Sequence, residues 1–294
     1  ICEISPKAVG VPGTSLYLRK GEKFSTRQLL YGLMLISGND ASVAIGEHVC
    51  GSLNKFVELM NKTAKKIGAT NSHFDNTHGL DSKSHYTTAY DLALITSYAM
   101  QNDTFKEIVS TKNTKITNTD GKTRYLKNKN KLLNSFDGCN GVKTGFTDDA
   151  GRCLVSSAER DGMNVVCVVL NCGPMFEECS SFMEQAFAQY KLYDLTSFYR
   201  LPEFIAVENG RTDKVGLTTM GHCYYPLRDD EMTSIEIRYQ IDDFIEAPVE
   251  KGQEVGKVEI YLNKNLHFSE KIFTIDCVRR NSLWQKLYDV LAQW

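Results

Sequence analysis

Two short motifs contain residue types that acyl-transfer chemistry uses. Ser-Gly-Asn at Ser37–Asn39 follows a helical segment, and Lys-Thr-Gly at Lys143–Gly145 lies in a segment with the pattern of a strand. Hydroxyl, carboxamide and ammonium groups serve in such sites as proton carriers and hydrogen-bond donors. Each motif alone is weak, because Ser-Gly-Asn is also an ordinary helix connection and a strand lysine usually faces solvent. Only the pair, in this order and on these elements, is informative.

Helices are predicted around the first motif. Apolar residues recur at helical spacing from Thr26 until the run stops at Ser37, and a second helix is predicted to end near Gly51. A third begins with Asn54 as its capping residue and ends at Gly68. A polar loop over 69–88 then leads to a helix over 89–100.

Antiparallel strands are predicted around the second motif. Thr-rich strands flank a turn at 118–121, and the segments 141–147, 151–158 and 163–170 alternate as a three-stranded meander. An amphipathic helix over 176–190 follows. Because helices both precede and follow the antiparallel strands along the chain, the sequence indicates the α+β class.

The last third of the chain predicts a separate small β domain. Short strand-like runs at 234–239, 257–262 and 271–275 alternate with glycine-bearing turns. We therefore expect domains over 1–200 and 201–281, followed by an amphipathic helix over 282–294. That helix carries both tryptophans of the chain, which favours a membrane-interface anchor over a helix packed on the body.

The two motifs match the second and third motifs of the serine penicillin-binding and β-lactamase families. The segments around them, Leu29–Met34, His78–Asp81, Tyr86–Ala93 and Asn130–Leu133, make the chain resemble the D-alanyl-D-alanine carboxypeptidases of the low-molecular-mass penicillin-binding proteins. The resemblance implies a helical and antiparallel-sheet domain of the penicillin-binding type, incomplete at its N-terminus. A small all-β domain and a C-terminal amphipathic helix follow it in that family.

The resemblance implies a catalytic role for three residues. In the family, the serine of an upstream Ser-x-x-Lys motif attacks the carbonyl of the penultimate D-alanine, and water hydrolyses the resulting acyl-enzyme. Ser37 would relay protons to the leaving group, and Asn39 would hold the peptide amide of the substrate. Lys143 would supply positive potential beside Ser37.

The resemblance also implies four substrate-binding residues on one strand edge. Lys143 would attract the substrate, and Thr144 would bind its terminal carboxylate. Gly145 would allow a close approach of the peptide, and Phe146 would supply main-chain groups, including an oxyanion donor. Some relatives place an arginine after the last strand of the meander, but 171–174 contains none, which makes recognition of the carboxylate less certain.

The nucleophile motif of the family does not precede Ser37. None of the earlier serines has a lysine three residues further on, and the one formal match, Ser52–Lys55, follows Ser-Gly-Asn in the chain. We interpret Ser52 and Asn54 as the capping end of the third helix and Lys55 as a solvated side chain, and not Ser52 as a nucleophile. The chain is therefore predicted to lack the nucleophile and its lysine and to be inactive as it stands.

Several other functions are disfavoured. With 34 basic and 36 acidic residues and no basic run, nucleic acid is a poor candidate partner. The six histidines form no metal-binding spacing, so neither a metal nor a cofactor is expected. The segment 252–257 is one residue too short for a phosphate-binding loop. Most of the nine cysteines are expected to be buried free thiols.

The predicted partners follow from the resemblance. They are a peptidoglycan stem peptide ending in D-Ala-D-Ala, β-lactam antibiotics as inhibitors, and a membrane surface contacted through 282–294. The expected location is the outer face of the bacterial cytoplasmic membrane, after export. Two alternatives remain open at this point: a non-catalytic peptidoglycan-binding pseudoenzyme and a β-lactamase.

Overall fold

A computed structural model describes residues 1–282. The chain divides into two compact units, one formed by residues 1–188 and a second that begins at Gln189. The domain limits predicted from the sequence, at 200 and 281, stay predictions. The predicted terminal helix lies outside the described residues except for its first residue, Ser282. Among the helices described, none is long and apolar enough to cross a membrane.

Four helices of the first unit begin at a residue whose side chain accepts a hydrogen bond from the first turn. The described helices are α1 (Thr26–Ile36), α2 (Asn39–Cys50), α3 (Leu53–Lys66), α4 (Ala89–Ala99), α5 (Asp103–Ser110), α6 (Leu132–Ser135) and α7 (Met175–Gln189). A capping box starts α1: the Ser25 hydroxyl accepts from the Gln28 N–H at 3.2 Å, and the Gln28 carboxamide accepts from the Ser25 N–H at 3.0 Å. Leu29 and Leu35 of α1 are fully buried.

The strands of the first unit pair only antiparallel. They are β1 (Cys2–Glu3), β2 (Lys23–Phe24), β3 (Asn113–Thr117), β4 (Thr123–Lys127), β5 (Cys139–Thr147), β6 (Gly151–Arg160) and β7 (Met163–Val169). β5, β6 and β7 form a meander in that order, which confirms the prediction. In its register, Thr144 lies opposite Leu154 and Phe146 lies opposite Arg152.

Two apolar clusters stabilise the first unit. One lies among β1, β2, α1 and α2 and includes the fully buried Phe24. The other lies between the meander and α7, where Leu154 of β6 packs in one cluster with Cys179 and Met183 of α7. The sheet that carries Lys143 therefore rests on α7 through side chains that exclude water.

Two expectations from the sequence were wrong in detail. Ser52, not Asn54, caps α3, because its hydroxyl accepts from the Lys55 N–H at 3.3 Å. All nine cysteines are free, but only Cys2 and Cys179 are buried. Cys167, for example, lies in the apolar run of β7, yet β7 is an edge strand of the meander and is only partly covered.

The second unit is built of β-strands, as predicted. Its described strands are β8 (Lys191–Asp194), β9 (Phe204–Glu208), β10 (Lys214–Thr218), β11 (Tyr224–Leu227), β12 (Ile235–Ile241), β13 (Phe244–Glu246), β14 (Glu254–Leu262) and β15 (Asn265–Thr274). Six of them form one sheet in the order β12-β14-β15-β10-β9-β13, and β8 pairs with β11. Val258, Ile260 and Ile272 alternate inward from β14 and β15 to form its core.

Candidate active site

Ser37 sits at the joint where α1 ends and α2 begins. Its backbone is left-handed, with φ of 65°, which stops α1 and turns the chain into α2 two residues later. The amides of Ser37 and Gly38 donate to carbonyls of α1 at 3.1 and 3.2 Å, and the Asn39 amide donates to the Thr14 carbonyl at 2.8 Å. Main-chain hydrogen bonds therefore fix all three residues of the first motif.

A buried carboxylate holds the neighbouring loop in place. Asp40 is 1% exposed, and its oxygens accept from the amides of Leu16 at 2.9 Å and Leu18 at 3.0 Å and from the Ser15 hydroxyl at 2.7 Å. The Asn39 carboxamide donates to the Pro12 carbonyl of the same loop at 2.7 Å. The sequence pattern did not identify Asp40, because its function depends on a loop more than twenty residues away.

Lys143 approaches the joint from strand β5. Its ammonium donates to the Ser37 hydroxyl and, at 2.6 Å, to the carbonyl of Thr144. Burial is the main cause that lowers the pKa of Lys143 from 10.5 to about 8, and repulsion from Lys129 lowers it further. The pair therefore holds a proton that is less tightly bound than that of an ordinary lysine, next to a hydroxyl that could pass it on.

The segment before α6 ties strand β5 to the helices. Asn130 is buried, and its carboxamide donates to the Gly141 carbonyl of β5 at 2.7 Å and accepts from the Leu132 N–H at 3.1 Å. The Lys129 N–H donates to the Leu35 carbonyl of α1 at 3.1 Å. These bonds set the spacing between the strand that carries Lys143 and the helix that ends at Ser37.

All six residues predicted for the site line one cleft of about 790 Å³. The strand edge and the joint face each other across it, so the structure brings the two motifs together. Whether each residue has its predicted role stays a prediction. The lining residues are Gly13, Thr14, Leu33, Ser37, Asn39, His78, Gly79, Leu80, Lys129, Lys131, Lys143, Thr144, Gly145, Phe146, Thr147, Arg152, Met175 and Phe176.

One wall of the cleft comes from the loop that includes His78, Gly79 and Leu80. Asn76 shapes this loop by accepting from the Gly79 N–H at 2.7 Å and donating to the Leu80 carbonyl at 2.9 Å. The Thr147 hydroxyl donates to Asp81 at 2.8 Å, which ties the loop to the end of β5. The sequence pattern marked this loop only as part of a resemblance and did not place it at the site.

The lining of the cleft is cationic. Lys129, Lys131, Lys143 and Arg152 contribute to it, and no aspartate or glutamate does among the described residues. Burial lowers the pKa of Lys129, whose ammonium lies 3.4 Å from the Thr14 hydroxyl. Such a lining attracts an anionic ligand and concentrates it at the mouth of the cleft.

Strand β5 presents an open edge to the cleft. Of the strands described, only β6 pairs with it, and Gly145 and Phe146 are exposed, the Phe146 residue by 67%. An extended peptide can add to such an edge through main-chain hydrogen bonds. The arrangement thus combines a strand edge, a buried ammonium and a serine hydroxyl.

Ser52 is not part of this cleft. It caps α3 and is absent from the lining, which agrees with its interpretation as a helix cap. The formal Ser-x-x-Lys match at Ser52–Lys55 therefore reflects the way a helix starts.

Comparisons with known proteins identify the family to which the chain is similar. Residues 2–173 match the family described as D-alanyl-D-alanine carboxypeptidase, and residues 197–279 match the C-terminal domain of penicillin-binding protein 5. The D-alanyl-D-alanine carboxypeptidase DacF of Bacillus subtilis is 31% identical over 256 residues, which cover 86% of this chain and 66% of that protein. The chain thus spans about two thirds of the length of this relative.

Solved structures of penicillin-binding proteins and D-alanyl-D-alanine carboxypeptidases have a similar fold. Penicillin-binding protein 5 from Haemophilus influenzae has a TM-score of 0.71 at 27% identity, covering 95% of this chain and 83% of that one. The D-alanyl-D-alanine carboxypeptidase DacD from Francisella tularensis has a TM-score of 0.66 at 26% identity, covering 95% of this chain and 81% of that one.

Proposed function

The chain belongs to the D-alanyl-D-alanine carboxypeptidase family, and from this premise we propose that it contributes the peptide-binding and proton-relay side of a serine-type D-Ala-D-Ala carboxypeptidase site. The hydrogen bond from the Lys143 ammonium to the Ser37 hydroxyl, inside a cationic cleft beside an open strand edge, carries the proposal. The substrate is a peptidoglycan stem peptide that ends in D-Ala-D-Ala.

The proposed reaction is an acyl transfer in two steps. A serine oxygen bonds to the carbonyl carbon of the penultimate D-alanine, the peptide C–N bond breaks, and the serine proton reaches the amine of the departing D-alanine. Water then hydrolyses the ester, which frees the shortened peptide and the serine. Ser37 would carry the proton to the leaving amine, and the charge of Lys143 would make that transfer easier.

Binding groups on β5 would hold the peptide. Thr144 would bind the terminal carboxylate with its hydroxyl, and the exposed edge at Gly145 and Phe146 would pair with the peptide backbone. The N–H of Phe146 would stabilise the developing oxyanion. Asn39 would contact the peptide amide through its carbonyl oxygen, since its amide nitrogen already donates to Pro12.

The attacking serine is not among the residues of this chain that we assign. No Ser-x-x-Lys precedes Ser37, and Ser52 caps a helix away from the cleft. We therefore predict that this chain alone is not acylated by β-lactams, which act on such sites as substrate mimics. We also propose that the protein works outside the cytoplasmic membrane, with 282–294 contacting the membrane surface.

Labelling with a fluorescent penicillin tests the proposal. The chain is compared with a form extended upstream to include any Ser-x-x-Lys segment that its gene encodes, with Lys143→Ala in the extended form as the control. Labelling of the extended form alone, lost in the control, supports the carboxypeptidase. Labelling of neither form favours a peptidoglycan-binding pseudoenzyme, and labelling of the shorter chain overturns the account of Ser52.

A further inference from the structure

Two arginines of the first unit, Arg19 and Arg152, have no side-chain partner among the described residues, and of these only Arg152 lines the cleft. Arg27, Arg124 and Arg160 each pair with a carboxylate, at Glu107, Glu22 and Glu184. The Arg152 side chain lines the cleft, is exposed, and has no hydrogen-bond or ion-pair partner within residues 1–282. Because no aspartate or glutamate lines the described cleft, this guanidinium can bind an anionic group of a ligand.

The register of the meander places Arg152 beside the binding edge. It lies directly opposite Phe146, so the two side chains lie on the same face of the sheet. Thr144 is two residues from Phe146 on that strand and is therefore the diagonal neighbour of Arg152. Diagonal neighbours in an antiparallel pair are about 7–8 Å apart, a distance that a long side chain spans.

The chemistry of the side chain fits a carboxylate. The planar guanidinium offers two parallel N–H donors to the two oxygens of one carboxylate, which a lysine ammonium does not do. The three lysines of the lining already have neighbours for their ammonium groups. That of Lys143 donates to Ser37 and Thr144, that of Lys129 lies 3.4 Å from the Thr14 hydroxyl, and that of Lys131 lies 5.5 Å from the centre of the Phe176 ring. Among these cations, only Arg152 has both an unpaired guanidinium and a position next to Thr144.

We propose that Arg152 is a specificity-determining residue that binds the terminal carboxylate of the peptide together with the Thr144 hydroxyl. This inference rests on the proposed function and adds to it the residue that distinguishes a peptide with a free C-terminus from one that is blocked. A carboxypeptidase needs this distinction, because it removes a single terminal residue.

The test measures dissociation constants of the chain for an N-acetylated peptide ending in D-Ala-D-Ala and for its C-terminal carboxamide. The unaltered chain should bind the acid at least about tenfold more tightly than the amide, and Arg152→Gln should remove most of this preference, as expected for lost hydrogen bonds to a charged group. Arg152→Lys should retain only part of it. Because the side chain is exposed and unpaired, these substitutions should leave folding intact.

Two control variants distinguish a direct contact between Arg152 and the carboxylate from the overall positive charge of the cleft. Lys131→Gln removes one positive charge from the same cleft and should reduce the preference only about two- to threefold, the size of an exposed charge interaction. Arg19→Gln removes an exposed arginine outside the cleft and should have no effect. If Lys131→Gln lowers the preference as much as Arg152→Gln, or if Arg152→Gln retains it, the inference is wrong.

Failure of the Arg152 inference can be distinguished from failure of the proposed carboxypeptidase function. If fluorescent penicillin labels the upstream-extended form while Arg152→Gln still prefers the acid, the function stands and the inference fails. If penicillin labels neither form and the unaltered chain binds acid and amide equally, both fail.

Discussion

The Lys143 ammonium donates a hydrogen bond to the Ser37 hydroxyl across the gap between strand β5 and the joint of helices α1 and α2. The two residues come from motifs that lie 106 positions apart in the chain. Their contact depends on three separate supports: the left-handed end of α1, the Asp40 anchor of the neighbouring loop, and the Asn130 bridge to β5.

The buried charge of Lys143 should make stability rise with pH. Below about pH 8, Lys143 is charged both folded and unfolded, so the cost of burying its charge is fully present. Between about pH 8 and 10.5 the folded chain loses this proton while the unfolded chain keeps it, so the folded state gains stability as pH rises. The gain should reach up to about 3 kcal/mol, the value of the whole shift.

Urea unfolding of the unaltered chain and of Lys143→Met at pH 7 and pH 10 measures this effect. The free energy of unfolding of the unaltered chain should rise relative to that of the variant at the higher pH. Lys55→Met, which removes an exposed lysine from α3, is the matched control for losing one charge. A difference between the unaltered chain and Lys143→Met that does not change with pH would contradict the assignment.

Asp40→Ala should destabilise the first unit by about 3–5 kcal/mol. The substitution leaves the buried amides of Leu16 and Leu18 without an acceptor, and each lost acceptor costs about 1–3 kcal/mol. Asp103→Ala, at an exposed acidic residue in the first turn of α5, should cost about 1 kcal/mol or less. Denaturant unfolding compares the two, and equal losses would mean that Asp40 does not hold the loop.

Gly138→Ala should be more destabilising than Gly121→Ala, although both glycines have a positive φ, of 76° and 80°. An added Cβ at Gly138 would lie 2.4 Å from the Glu159 carbonyl oxygen, a main-chain atom that cannot move aside, whereas Gly121 has open space. The backbone strain of about 1 kcal/mol is common to both, and the clash should add about 1–3 kcal/mol at Gly138. Similar thermal unfolding midpoints for the two variants would refute the close approach.

Ser52→Ala should lower stability without changing penicillin labelling. Loss of the cap of α3 removes the acceptor for the Lys55 N–H and costs about 1 kcal/mol. Asn54→Ala, next to the true cap and exposed, should cost less. The extended form that carries Ser52→Ala should label with fluorescent penicillin as fully as the unaltered extended form; a loss of labelling would reopen the nucleophile assignment.

The sequence predicted most elements because their signals are local. The helical spacing after Thr26, the turn at 118–121 and the alternation around Lys143 each depend on residues a few positions apart, and the structure has the corresponding elements. The cap of α3 was misplaced by two residues because Ser52 and Asn54 are both good capping residues and only the backbone geometry distinguishes them.

The site could be predicted only in part. Both motifs were identified through their resemblance to a family, and the structure brings them to one cleft. Asp40, Arg152 and the loop at His78 were not identified, because their contribution depends on contacts between segments distant in the chain or on strand register. Burial of cysteines was overestimated for a similar reason: an apolar run does not reveal whether its strand lies at the edge of a sheet.

The amides of Ser37, Gly38 and Asn39 all donate within the chain, so the helix joint offers a ligand its side chains, whereas the strand edge at Gly145 and Phe146 offers its main chain. Substitutions at Phe146 and substitutions at the helix joint should therefore have different effects on binding. A change at Phe146, whose side chain is largely exposed, preserves the N–H and carbonyl that a peptide would use. A change at Ser37 or Asn39 removes the side-chain group that the joint offers, so substitutions should be tolerated at Phe146 before they are tolerated at the joint.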